Sequence, residues 1–229
     1  MPSSHWPDAC ATGRCAICAT PAPPAADAAA GLLPRRTLLA AAATGAGLAL
    51  LPWQARAAAE APEAAALLRQ GGVVMAFRHA LAPGTFDPPS FRLGDCSTQR
   101  NLSDDGRAQA RRIGEWFSQQ ALVPSRVASS PWCRCLDTAN LAFGQAPESW
   151  AALGSPRGYT EVTGAAHLQA LRKSLAAASA RPGRFEVWVT HMFVLADLAG
   201  ANAASGEGLV LRMDRKGNVE TLARLAIPA

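Results

Sequence analysis

Three short strand-like segments dominate the reading of this chain: Val73-Val74-Met75-Ala76-Phe77, Arg126-Val127-Ala128-Ser129 and Phe185-Glu186-Val187-Trp188-Val189. The first is a continuous apolar run with β-branched residues, the mark of a strand buried on both faces in a parallel sheet. The segments between them carry helical signals. Ala110, Ile113, Trp116 and Phe117 recur at helical spacing. Ser103 is placed to cap that helix, with Asp104 and Asp105 at its positive end, and the helix should run to about Gln120. Further helices are expected over 59–70, ending at Gly71-Gly72, over 165–180, and over 192–199, ending at Gly200. Another should start with Ser130 as cap and Pro131 as first residue, and stop at Gly144 after Phe143. Residues 145–160 read as loop. Leu209–Met213 and Val219–Leu225 form a hairpin around Lys216-Gly217-Asn218. The expected fold is α/β: a three-layer α/β/α sandwich, its mostly parallel sheet finished by an antiparallel edge strand.

The first part of the chain reads as an address. Residues 1–30 are rich in Ala and Pro and show no apolar period. Arg35-Arg36 then precede Thr37-Leu38-Leu39, a bland apolar run to Leu51, and the small-residue site Ala55-Arg56-Ala57. A charged pair, an apolar region and an A-x-A site form an export signal, and the adjacent arginines resemble a twin-arginine (Tat) signal. This divides the chain into an extension and signal, 1–57, and a domain, 58–229. It predicts passage through the Tat machinery, a periplasmic or secreted location, and no stable membrane span after cleavage. Cys10, Cys15 and Cys18 precede the signal. Cys15-x-x-Cys18 lacks a second ligand pair, so no metal is assigned to it. Cys96, Cys133 and Cys135 follow the signal, where an oxidising compartment favours one disulfide and one free thiol. A bridge from Cys96 to either Cys133 or Cys135 would tie a loop to the helix that carries Arg134.

The formal net charge is +5, and the basic residues are scattered, nearly all of them Arg, with Lys only at 173 and 216. No basic block marks a nucleic-acid partner, and scattered Arg suits a small anionic substrate. The chemistry concentrates at strand ends. Three histidines follow residue 58, namely His79, His167 and His191. Two of them stand directly after strands: Phe77 leads into Arg78-His79, and Thr190 leads into His191. Ligands of open α/β sheets bind at the carboxyl ends of parallel strands, so these imidazoles and a guanidinium point to one rim. At the third strand end, Ser130 precedes Arg134, which adds a fixed fork near a helix N-terminus. Thr138, four residues on, is assigned a side-chain bond to the helix backbone.

These residues carry a resemblance. Phe77-Arg78-His79-Ala80, Ser129-Ser130 followed by Arg134 and Thr138-Ala139, and Val189-Thr190-His191 resemble the histidine phosphatase (phosphoglycerate mutase-like) superfamily. Leu102-Ser103-Asp104-Asp105-Gly106-Arg107-Ala108-Gln109-Ala110 is similar to the family's L-[ST]-x-x-G-x-x-Q-A helix start. The resemblance spans about residues 70–225. It implies that His79 is the nucleophile that becomes phosphohistidine, and that Arg78, Arg134 and His191 bind the phosphoryl oxygens. It implies no cofactor and no metal, and a small phosphorylated substrate, such as a sugar phosphate. Ala80 replaces the family's Gly.

The general acid is left open. Some branches place Asp directly after the second His, where this chain has Met192. Asp95, Glu148 and Glu161 are the candidates. The leading expectation is an exported phosphomonoesterase acting through phosphohistidine. The alternatives are a catalytically weak phosphate-binding member of the family and a phosphoglycerate mutase-type phosphotransferase.

Overall fold

A computed structural model describes residues 53–156 and 163–229. The strands are β1 (Val73–Arg78), β2 (Arg126–Ser129), β3 (Glu148–Ser149), β4 (Phe185–Thr190), β5 (Glu207–Met213) and β6 (Val219–Ala226). The helices are α1 (Trp53–Gln70), α2 (Asp104–Gln119), α3 (Cys133–Phe143), α4 (Ala165–Ser179) and α5 (Met192–Ala199). The arginine pair and the apolar run to Leu51 lie outside the described residues. Helix α1 begins upstream of the expected residue 59 and runs through Ala57. Among the described residues no helix is long and apolar enough to cross a membrane.

The sheet order is β3-β2-β4-β1-β5-β6. β3, β2, β4 and β1 are mutually parallel, and β5 and β6 close the sheet as an antiparallel hairpin. Period-2 alternation splits each central strand between two cores. Val73, Met75, Phe77, Val187 and Val189 face Leu68 of α1, Ile113 and Phe117 of α2, and Ala139 of α3. Val74, Ala76 and Trp188 face Leu171 and Leu175 of α4, and Leu195 and Leu198 of α5. Both strand faces are therefore covered, as the unbroken apolar run of β1 requires, and the expected three layers are present. Full burial of each large side chain contributes about 1.5–3 kcal/mol, so this double-sided burial is what fixes the strand register.

Two local differences have clear causes. The stretch expected to be loop contains β3 and a 3-10 turn over Ala151–Leu153. β3 is only two residues long and exposed, so it carries no hydrophobic pattern to read. Helix α3 starts at Cys133 with Trp132 as cap, not at Pro131 with Ser130 as cap. The Ser130 side chain is drawn instead to a buried histidine across the sheet.

The register sets up the site. β1 and β4 are adjacent, with Phe77 beside Val189 and Arg78 beside Thr190. One further ladder bond, from His79 N to Thr190 O at 3.0 Å, carries the pairing one residue past the strands. On the other side, Ser130 N donates to Val189 O at 2.9 Å. Three neighbouring strands thus deliver His79, His191 and Ser130 to one edge. The chain leaves β1 toward the α2 face and β4 toward the α5 face, which opens a crevice between them.

Candidate active site

His79 and His191 face each other edge-on, with ring centroids 5.4 Å apart, and each is 2% exposed. Nδ1 of His79 lies 2.8 Å from the carbonyl oxygen of Ala80. A carbonyl only accepts, so Nδ1 carries the proton and Nε2 holds the free lone pair. In His191 the assignment is opposite. Its Nδ1 faces Nη2 of Arg134 at 3.4 Å, and a guanidinium only donates. Nε2 therefore carries the proton and donates to Oγ of Ser130 at 2.8 Å. Sγ of Cys135 lies 3.4 Å from the same nitrogen, and the Trp132 ring packs edge-on at 5.3 Å. Both imidazoles have pKa values well below the ordinary 6.5, first because burial disfavours the cation and next because Arg134 repels it. Both rings are neutral. A protonated His191 is thus not part of the resting site.

Three guanidiniums surround this pair. Arg134 is 2% exposed. Arg78 is half-buried and donates to Ala203 O at 3.1 Å. Arg100 donates through Nη1 to the carbonyls of Ala82, Pro83 and Gly84 at 2.7, 3.1 and 2.6 Å. Nε of each of the three is buried and makes no hydrogen bond. The pKa values of Arg78 and Arg100 are lowered, first by burial and then by repulsion from Arg134. A cluster of mutually repelling cations, one buried and two half-buried, around neutral bases is arranged for a multiply charged anion.

The supporting residues explain the sequence motifs. Thr138 Oγ1 donates to Arg134 O at 2.6 Å, the backbone bond expected of it. It also accepts from Ala80 N at 3.0 Å, which joins the turn after β1 to α3. Ala80 packs with Ala82, Leu102 and Ala110, so its methyl group has a place. Gln109 accepts from Leu81 N at 2.9 Å and donates to Ser205 O and Ile227 O. At Gly106 a Cβ would come within 2.0 Å of Leu81 O, so only glycine lets α2 approach this turn. The motif around Gly106 and Gln109 therefore shapes the segment that follows His79.

Sequence reasoning places the first residue of α3 near an open, anion-binding helix end. The structure differs: Cys133 N donates to Oε1 of Gln99 at 3.0 Å, and Trp132 N donates to Ser130 Oγ at 3.3 Å. Positive charge here comes from the arginine side chains rather than from free helix N–H groups. Cys96 and Cys133 form the disulfide, and Cys135 is a free buried thiol. Burial pushes the Cys135 thiol up to about 12.

Of the expected acids, none that is described reaches the site. Asp95 pairs with Arg92 at 2.9 Å, caps Ser97, and has a 38% exposed side chain. Glu148 lies beside Ala128 in the sheet, but its carboxylate is turned to Arg126 at the start of β2, whose Nε and Nη2 each donate to it at 2.7 Å. Glu161 lies outside the described residues. The carboxylate that does reach the site is Asp87, which sequence reasoning missed. Its Oδ1 and Oδ2 accept from Nη1 and Nη2 of Arg134 at 2.8 and 3.1 Å, and Oδ2 also accepts from Trp132 Nε1 at 3.1 Å. Burial acts to raise its pKa, but the Arg134 fork outweighs this and the net direction is down. Arg100 was missed as well, although it directly precedes the Asn101-Leu102 motif start. Asp87 sits in a polar loop with no period. The third histidine, His167, is exposed and lines a separate cavity of about 420 Å³ with Leu93, Pro131, Trp132 and Thr163. Among the described residues no group of His, Cys, Asp and Glu is arranged to hold a metal.

No curated protein matches the chain. Solved structures of similar fold include Bacillus stearothermophilus YhfR, at 15% identity over 66% of this chain and 95% of that one, TM-score 0.49. They also include a mutant phosphoserine phosphatase from Entamoeba histolytica, at 11% identity over 68% and 97%, TM-score 0.48. A third is the putative phosphohistidine phosphatase SixA from Agrobacterium tumefaciens, at 19% identity over 67% and 97%, TM-score 0.46. No site assignment rests on these likenesses. The family model that matches is the histidine phosphatase superfamily (branch 1), over residues 93–154. That match covers the segment that supplies Arg100, Ser130, Arg134 and Cys135 to the site.

Proposed function

We propose that the chain is a phosphomonoesterase that acts through a phosphohistidine on His79. The observation that carries this reading is the neutral His79, with its proton fixed on Nδ1 by Ala80 O and its Nε2 free, among the buried Arg134 and the half-buried Arg78 and Arg100. A neutral imidazole nitrogen can attack phosphorus in line, and preorganised cations stabilise charge on the equatorial oxygens. Arg78 and Arg134 bind those oxygens, and Arg100 adds to the same field. His191 accepts from Arg134 through Nδ1, stands opposite His79 and completes the phosphoryl-binding pocket. The His79–phosphorus bond forms as the ester P–O bond breaks. Water then attacks phosphorus, releases phosphate and returns His79 to its neutral state. The substrate is a small phosphorylated metabolite or sugar phosphate.

We propose further that the chain is exported by the Tat route to an oxidising compartment. Arg35-Arg36, the apolar run behind them and the Ala55-Arg56-Ala57 site support this reading. The Cys96–Cys133 disulfide is consistent with that destination.

The deciding experiment is brief mixing of the protein with a labelled aryl phosphate, followed by denaturation. An acid-labile, base-stable phosphoenzyme on His79, with steady release of phosphate, is the expected result. A bound but uncleaved ester points to the weak phosphate-binding alternative. Transfer of the label to a second alcohol in preference to water points to the phosphotransferase.

A further inference from the structure

Asp87 lies on the loop between β1 and α2, and that loop is pinned on both sides of it. On one side, Phe86 stacks on Phe193 at 6.4 Å. On the other, Phe91 stacks on Trp132 at 5.3 Å and Cys96 is bonded to Cys133. Between these fastenings the carboxylate takes both ends of the Arg134 fork. Its backbone-side partner is Arg100 N, which donates to Oδ1 at 3.0 Å. A carboxylate on a bidentate guanidinium occupies the place a phosphoryl group would take, since both present two oxygens to the same fork. The Asp87 side chain is 15% exposed while that of Arg134 is 3% exposed, so the carboxylate is the partner that faces outward.

We infer that Asp87 is the general acid of the reaction, parked on Arg134 in the free protein and released when a phosphoryl group takes the fork. This rests on the phosphatase reading above. The step balances as follows. The bound phosphate ester displaces the carboxylate from Arg134, and Asp87 takes a proton from solvent through its exposed face. His79 Nε2 attacks phosphorus, the P–O bond to the leaving group breaks, and Asp87 gives its proton to that oxygen, which departs as the alcohol. The Asp87 carboxylate then accepts a proton from the water that attacks phosphohistidine. The next proton it loses goes to solvent as it returns to Arg134.

The groups around Asp87 favour such a change. Arg134 and Trp132 at the start of α3 hold it as an anion, together with Arg100 ahead of α2. Cys135 lies behind them on α3 as a neutral thiol, and His191 after β4 is neutral. Arg78 at the end of β1 is the remaining cation of the cluster. Once a phosphate dianion accepts from Arg134, Asp87 loses two charge-assisted bonds and gains an anionic neighbour. Both changes favour its protonated form.

The test compares two leaving groups in the wild type and in Asp87→Asn. An aryl phosphate with a nitrophenolate leaving group departs without a proton, whereas the alkoxide of a primary alkyl phosphate such as glycerol phosphate does not. Asp87→Asn should lower kcat on the alkyl ester by about 10²–10⁴-fold, the usual range for a general acid. The loss in phosphoenzyme formation should be much smaller on the aryl ester than on the alkyl ester, and a circular dichroism spectrum like that of the wild type shows that the variant is folded. The basic limb of the pH profile for the alkyl ester should disappear in the variant. Asp87→Glu should recover part of the loss. Equal losses of phosphoenzyme formation from both esters, or no loss from either, overturn the assignment of Asp87 alone. A wild type that forms no phosphoenzyme overturns the phosphatase reading and this assignment with it.

Discussion

Oγ of Ser130 stands 2.8 Å from Nε2 of His191, and this bond decides which nitrogen of that ring faces Arg134. With the proton held on Nε2, Nδ1 is left as an acceptor for Nη2 of Arg134. The hydroxyl therefore acts on the anion-binding fork through an imidazole. Ser130→Ala should leave the buried Nε2–H of His191 with only the weak acceptor Sγ of Cys135, at about 1–3 kcal/mol, and should loosen the ring behind Arg134. The expected outcome is a several-fold rise in KM for a phosphate ester with a smaller change in kcat. Steady-state kinetics checks this, and Ser130→Thr should behave as wild type.

Removal of the nucleophile should be near-complete in its effect. His79→Ala should reduce turnover by at least about 10³-fold, because no other group in the site can accept the phosphoryl group. Arg134→Ala should be milder, about 10²-fold in kcat/KM, since charge-assisted hydrogen bonds are lost while the nucleophile remains. Equal activity of His79→Ala and wild type would exclude the mechanism.

The pH dependence follows from two depressed histidine pKa values. Burial, then Arg134, holds His79 and His191 well below 6.5 in the folded state. The reactive neutral form of His79 therefore persists below pH 6.5, and the acid limb of kcat/KM should lie below that value. For stability the sign is the same for both rings. Above pH 6.5 neither the folded nor the unfolded chain binds these protons. Below it the unfolded chain binds them and the fold does not, so stability falls as pH falls from 6.5 toward the folded values. Urea midpoints at pH 7.5 and pH 5 should differ in that direction.

Reduction should loosen the loop that carries Asp87. The Cys96–Cys133 bridge spans a sequence separation of 37. Its loss should cost about 2–4 kcal/mol. Thermal melts of Cys96→Ser against wild type measure this. Peptide mapping should find Cys96 linked to Cys133. It should find Cys135 alkylated only after unfolding, because its thiol is buried and pushed up to about 12. Free thiols at all of Cys96, Cys133 and Cys135 in the protein isolated without reductant would contradict this pairing.

The export reading has its own check. Replacing both Arg35 and Arg36 by Lys should leave a precursor in the cytoplasm, seen by fractionation and the mass of the retained chain. Normal export of the double variant would remove the Tat assignment.

The sequence by itself determined the sheet and the two histidines. Val73–Phe77 is apolar on both faces and Phe185–Val189 nearly so, broken only by Glu186, so they had to become central parallel strands. His79 and His191 had to lie at their carboxyl ends. The hairpin of β5 and β6 was legible for the same reason, since alternation and a turn are local signals. Tertiary structure alone decided what local pattern does not encode. It set β4 between β2 and β1, which brought Ser130 within reach of His191 and drew it away from capping α3. It selected Cys133 over Cys135 for Cys96, because residues two apart on a helix point in different directions and only one faces the loop. It also chose Asp87 over Asp95 and Glu148 as the carboxylate on Arg134. An exposed loop carboxylate has no periodicity to mark it. Its role comes from the fold of the backbone around it, held by Phe86, Phe91 and the disulfide.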